Sequence, residues 1–216
     1  VGADRELVIG HSNGERGKKN AFLLVSILAA VSGVVFAQAT PEGAKAMIES
    51  QSGEILQELR ANQATYQGNP AAFNQFINSR VAPSLAFDRM AEIALGRHLQ
   101  AVRDAGKFEA FSAAFRELLI RVYSKSWTQY TNAQITILGL PTVDKYNRAR
   151  VRAQIKDNAG KQHAMEFALW YDGGVWKLND ATFSNISLIS GYRSTFDIEI
   201  QKNGVDALIG KMRTME

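Results

Sequence analysis

Two alternating apolar runs meet at Asp172-Gly173-Gly174, and this junction constrains the chain more than any other stretch. Before it, Met165, Phe167, Leu169 and Tyr171 occupy every second position, with Glu166 on the opposite face. After it, a second run extends from Val175 to Phe183. A period of two predicts half-buried strands, and Asp-Gly between them predicts a tight hairpin. The second run passes into a segment in which Tyr192 and Phe196 stand one helical turn apart. A hairpin that feeds a helix gives a sheet a cover on one face.

Upstream, the pattern has a different period. Thr40-Pro41 combines a capping hydroxyl with proline at a first helical position. Ala44, Met47, Ile48, Ile55, Leu59 and Tyr66 follow at helical spacing, and the helix is expected to end by Gly68. Asn69-Pro70 repeats the start signal for a short helix with Phe73, Phe76 and Ile77 on one face, broken at Pro83. A third helix begins at Phe87-Asp88, carries Met90, Ile93 and Ala94, and stops at Leu95-Gly96. Lys107 to Tyr130 predicts the long helix. Phe108, Phe111, Phe115, Leu118, Leu119 and Val122 form its apolar stripe, and Glu117 and Arg121 pair on its other face.

From Ala133 onward the period is two. Ala133, Ile135 and Ile137 alternate up to Pro141. Ala149, Val151, Ala153 and Ile155 then share one strand face, with Arg148, Arg150 and Arg152 on the other. Asp157-Asn158-Ala159-Gly160 is a hairpin loop leading to the strand of Met165. Ser187 to Asn203 and Val205 to Arg213 return to helical spacing. Helices, then a meander of four antiparallel strands, then helices describe an α+β fold with the sheet covered on one face.

Composition narrows the function classes. The chain has 216 residues, a net charge of +4 and no dominant basic stripe, which argues against a dedicated nucleic-acid binder. There is no Cys, so disulfides and thiolate chemistry are excluded. His11, His98 and His163 stand apart, with no metal-ligand spacing among them. No GxSxG motif or Gly-rich phosphate loop occurs. Asp88 reads as a helix cap, Asp172 as a turn residue and Asp180 as a sheet-end hydrogen-bond acceptor or a pocket-wall acid near Trp176. A small-molecule isomerase or hydrolase on the same scaffold is the alternative function.

Lys18-Lys19, the apolar run Ala21–Phe36 and Ala37-Gln38-Ala39 have the order of a secretory signal peptide, and the run is short for a membrane span. Residues 1–39 are therefore expected to be an N-terminal extension and cleavable leader, and residues 40–216 one mature domain. The Arg148, Arg150 and Arg152 face reads as a solvated outer sheet face or a surface attractive to anionic membranes or a partner protein.

Several short pieces together resemble a known family. They are Pro83…Phe87-Asp88, Ala94-Leu95-Gly96, Phe108…Phe111…Phe115 with Leu118-Leu119 and Tyr123, Gly174-Val175-Trp176-Lys177-Leu178-Asn179-Asp180, and Ile186-Ser187-Leu188-Ile189…Tyr192-Arg193-Ser194-Thr195-Phe196. In this order, behind a leader, they resemble the MlaC or toluene-tolerance family of periplasmic phospholipid-binding proteins. His98-Leu99 stands where that family often has an aromatic pair, and Gly191 where it usually has Asn.

The resemblance implies a nuclear-transport-factor-2-like cone enclosing an apolar pocket, without catalysis or a cofactor and with phospholipid as cargo. It implies a periplasmic monomer that shuttles lipid between an outer-membrane lipoprotein–porin complex and an inner-membrane ABC transporter complex with its membrane-anchored substrate-binding subunit, so maintaining outer-membrane lipid asymmetry. On this basis the candidate lining residues are Val151, Ile155, Met165, Phe167, Leu169 and Tyr171 from the sheet. Met90, Ile93, Phe115, Leu119, Val122, Leu188, Tyr192 and Phe196 are the candidates from the helices. Arg193 is the candidate for a phosphate at the mouth.

Overall fold

Thr40 and Pro41 start the first helix as their chemistry dictates. Thr40 Oγ1 accepts a hydrogen bond from Gly43 N at 3.1 Å, and Pro41 opens α1, Pro41–Ala61. The structure, a computed structural model, describes residues 38–124 and 130–215. All but the last two residues of the expected leader therefore lie outside the described residues.

α1 stops at Asn62, and a separate turn of helix, α2 (Gln63–Gly68), continues to the expected end. Asn69 then caps α3, Pro70–Phe76, accepting from Ala72 N at 3.1 Å. Pro83 does not break this helix outright. A π-helical turn (Ile77–Val81) and a 3-10 turn (Ala82–Ser84) carry the chain through the proline. α4 spans Phe87–Leu95, and a 3-10 turn leads to an unanticipated short helix, α5, Leu99–Asp104. The long helix α6 is described from Phe108 to Ser124. Its expected continuation toward Tyr130 falls on residues 125–129, outside the described residues.

The strands are β1 (Gln134–Ile137), β2 (Arg148–Lys156), β3 (Gln162–Asp172), β4 (Val175–Phe183) and β5 (Ile186–Ser187). They pair antiparallel in chain order as a five-stranded sheet, where the alternation predicts four. β5 is only two residues long, too short to display a period. It is created by the Ser184-Asn185 turn, both residues of which have positive φ. The Asp172 turn is as expected, with Gly173 at φ 56° and Gly174 at φ 90°, the geometry of a tight hairpin. α7, Leu188–Met212, is interrupted at Gly204, where the sequence reading divides it.

One sheet face carries Ala149, Val151, Leu169 and Trp176, buried beneath Ala44 and Ile48 of α1. The other carries the arginines of β2. Arg150 pairs with Glu166 at 2.5 Å and Arg148 with Asp144 at 2.7 Å, which neutralises most of that ladder. β4 has a bulge. Ala168 opposes Asp180 and Leu169 opposes Leu178, so Asn179 has no partner residue across the ladder.

The largest core is helical. Phe111 and Phe115 of α6 meet Ile189, Phe196, Leu208 and Met212 of α7 and Leu95 of α4. Phe196 stands edge-on to both phenylalanines, at 5.7 and 5.3 Å between centroids. Asp180 joins this core to the sheet. Its carboxylate accepts from Ser187 Oγ, Ile189 N and Ala181 N, capping the start of α7 from the adjacent strand. The sheet-end role expected for Asp180 is the one it has.

Candidate functional site

The residues expected to line a pocket lie in packed places. Met90, Phe115, Leu119 and Phe196 are buried in the helical core, with Ile93, Val122, Leu188 and Tyr192 half-buried against it. Tyr192 touches Phe115 edge-on at 5.2 Å. Burial, with the neighbouring Tyr123 phenol, pushes its hydroxyl well above the ordinary range, so it is a protonated packing group. Val151 and Leu169 are buried beneath α1 with Phe167 and Tyr171 beside them. Ile155 and Met165 are half-buried farther along the sheet. Arg193 is exposed and its guanidinium lies against Gly96 at the end of α4. Gly96 has φ 51°, and a Cβ there would collide with that guanidinium. The Leu-Gly and Tyr-Arg pieces, far apart in sequence, are thus one contact.

A large opening lies elsewhere. It is a cleft of about 1170 Å³ between the α2–α3 region, the start of α4, one face of α6 and the β3–β4 hairpin, and none of the candidates above lines it. That volume exceeds the roughly 300–1,000 Å³ of pockets that take drug-sized ligands. Helical geometry explains the displacement. On α6 the phenylalanine stripe turns toward α7 and is filled by it. The positions between, Glu109, Ser112, Ala113, Arg116, Glu117, Ile120 and Arg121, face the cleft.

The opposite wall is apolar. Tyr66, Phe73 and Phe76 form an aromatic group with centroids 5.3 to 6.1 Å apart, part of a small satellite core with Leu59, Ile77 and Val81. Tyr66 and Phe73 reach the cleft from this group. Pro83, Leu85 and Phe87 continue the wall. Ala86 N donates to Leu178 O at 2.8 Å and fixes this segment to β4.

Polar groups rim the cleft in a fixed network. Ser112 Oγ donates to Asp88 Oδ1 at 2.5 Å, and Arg116 donates to Asn78 Oδ1 at 3.2 Å. Arg116 also lies over the Phe87 ring at 5.2 Å. Arg121 turns from its expected partner Glu117 to the carbonyl oxygens of Met212 and Met215. Burial, aided by its hydrogen bond to Glu58, pushes the Tyr66 phenol up to about 12. It stays protonated at neutral pH and is poorly matched to general-base work. Among the described residues no group of three His, Cys, Asp or Glu side chains gathers to hold a metal ion. Among them, too, no helix is long and apolar enough to cross a membrane.

Sequence reasoning missed Phe73, Arg89, Arg116 and Trp170 as wall residues. Trp170 left a usable signal. In β3 it stands opposite Arg148, on the polar face of an otherwise regular alternation.

A family model described as MlaC protein matches residues 49–214. The chain is 25% identical over 183 residues to a toluene tolerance protein, ttg2D, of Pseudomonas putida, covering 85% of this chain and 83% of that protein. A phospholipid-binding protein of Ralstonia solanacearum, solved in complex with a phospholipid, has the same fold. The TM-score is 0.69 at 23% identity, over 78% of this chain and 94% of that one.

Proposed function

The chain belongs to the MlaC family, and we propose that it is a soluble periplasmic carrier that shelters phospholipid acyl chains in the α2–α3/α6 cleft. The observation that carries this reading is the cleft itself: 1170 Å³, with an aromatic and aliphatic wall on one side and a charged rim on the other. In this reading the phenylalanine core of α6 and α7 is the rigid backing, and Tyr66, Phe73, Leu85, Phe87 and Ile120 receive the chains. In the same reading, helices and sheet correspond to the nuclear-transport-factor-2-like cone that the family resemblance implies.

Energetics explain why a carrier is needed. Burying acyl chain contributes about 0.8 kcal/mol per CH₂, so one long chain is worth on the order of 12 kcal/mol. Lipid does not leave a bilayer for water at a useful rate against that cost. A pocket that hides the tails as well as a bilayer does makes the exchange nearly balanced, and partner complexes then set its direction. The proposed partners are an outer-membrane lipoprotein–porin complex and an inner-membrane ABC transporter complex. Residues 1–39 serve as the leader that delivers the chain to the periplasm, and no cofactor or reaction is involved.

The test is organic extraction and mass spectrometry of natively purified protein. Diacyl phospholipid at near-stoichiometric amount is the expected result, and a lipid-free protein overturns the reading.

A further inference from the structure

The polar face of the sheet turns its β2 cations to solvent, and the cleft opens at one end of it. Arg148, Arg150 and Arg152 alternate along β2, Lys156 ends the same row, and all four are exposed. Arg148 stands opposite Trp170 of β3, and Trp170 stands opposite Lys177 of β4. Residues opposed across a ladder share a face. Trp170, a wall residue of the cleft, therefore lies on the arginine face, beside the end of its row.

Asp144 binds Arg148 and Glu166 binds Arg150, and Asp172 and Lys177 at the cleft end offset each other. Lys145, Arg152 and Lys156 are exposed and make no ion pair among the described residues, so the face keeps their positive charge. The cleft end also exposes apolar groups. Tyr146 is 60% and Val175 52% exposed. Lys145 Nζ and Arg148 Cζ each lie 5.0 Å from the Tyr146 ring centroid. The backbone fixes this loop beside the cleft, where Tyr171 N donates to Asn147 O at 2.9 Å. A tyrosine flanked by cations suits the headgroup level of a bilayer, with the ring toward the chains and the cations among phosphates. Charge alone would fit an acidic protein equally. Exposed Tyr146 and Val175 next to the mouth of an apolar cleft favour the bilayer.

We propose that the arginine face of the sheet, with Tyr146 and Val175 at its cleft end, docks the protein on the surface of an anionic bilayer. Docking there brings the Trp170 end of the cleft to the headgroups. The use of that contact in cargo exchange rests on the carrier reading above; the contact itself rests on charge and exposure.

The experiment floats natively purified protein with phosphatidylcholine vesicles that contain or lack phosphatidylglycerol. Wild type is expected to float with the anionic vesicles at low salt, to stay behind with the neutral ones, and to be released as salt is raised. Lys145→Glu/Arg152→Glu, two residues outside the cleft wall, should lower binding by about tenfold or more. Lys202→Glu/Arg213→Glu makes the same change of net charge on α7 and should leave binding within about twofold of wild type. Equal loss in the two variants, or no loss in the first, overturns the proposal. Should the first variant lack wild-type circular dichroism, Lys145→Gln/Arg152→Gln carries the test: a several-fold loss supports the docking face and unchanged binding overturns it. Wild type that ignores anionic vesicles overturns the membrane assignment, and its selective retention on polyglutamate would assign the face to an acidic protein instead. Extraction of the same preparation keeps the two readings apart. Lipid-free protein that floats removes the carrier and leaves the docking face; lipid-loaded protein that does not float removes the docking face and leaves the carrier.

Discussion

α6 belongs to two neighbourhoods that differ in how they end. On its phenylalanine face, Phe111 and Phe115 meet α7, and Phe196 and Ile189 fill every gap to full burial. On its other face, small and charged residues confront the aromatic wall of α2 and α3, and the space between stays open. Apolar stripes that find apolar stripes close into core. An apolar wall that finds Ser112, Ala113 and Arg116 has nothing to interdigitate with, and a cleft remains. In the proposed reading the lipid site therefore lies beside the most apolar helix face, not along it.

The contrast can be broken in graded steps. Phe115→Ala opens the filled side and has the largest effect. A fully buried Phe removed from a packed core costs about 3–5 kcal/mol, to be read as a lowered denaturant midpoint. A loss below about 1 kcal/mol in that experiment would mean that the helical core is not close-packed. Asp180→Ala removes the cap that ties the filled side to the sheet, and about 1–2 kcal/mol is expected by the same measurement. Phe73→Ser on the open side should cost only about 1 kcal/mol, because this ring is half-buried. Its main effect should be a several-fold loss of retained lipid on extraction. Equal lipid retention by Phe73→Ser and wild type would take the aromatic wall out of the acyl site.

The smallest effect is electrostatic and lies at the edge of the filled side. The Arg97 guanidinium, with His98 next, holds the Asp197 carboxyl below the usual carboxylate range. A carboxylate depressed on folding contributes stability above its unfolded pKa and loses it as pH falls through the folded one. Wild type should therefore lose melting temperature more steeply than Asp197→Asn as pH drops below about 4. Parallel curves would show that this surface cluster is screened to insignificance.

Much of the fold was legible because its signals are local. Thr40-Pro41 and Asn69-Pro70 start helices through their own side chains, and Asp172-Gly173-Gly174 turns the chain through its own backbone. The family resemblance, carried by pieces such as Leu95-Gly96 and Tyr192-Arg193, is borne out by the match over residues 49–214. β5 was not legible, since two residues have no period. The continuation through Pro83 was not legible either, since a 3-10 turn tolerates the proline that an α-helix does not.

The pocket was the least legible part. Leu169 and Phe73 look alike in a list of apolar residues, yet one is sealed beneath α1 and the other faces open space. Periodicity determined which face of each element avoids water, because that choice depends on residues three or four positions apart. Tertiary structure alone decided whether the face opposite could fill the gap. That depends on side chains tens of residues away, such as Phe196 against Phe115, and Arg116 across from Phe73.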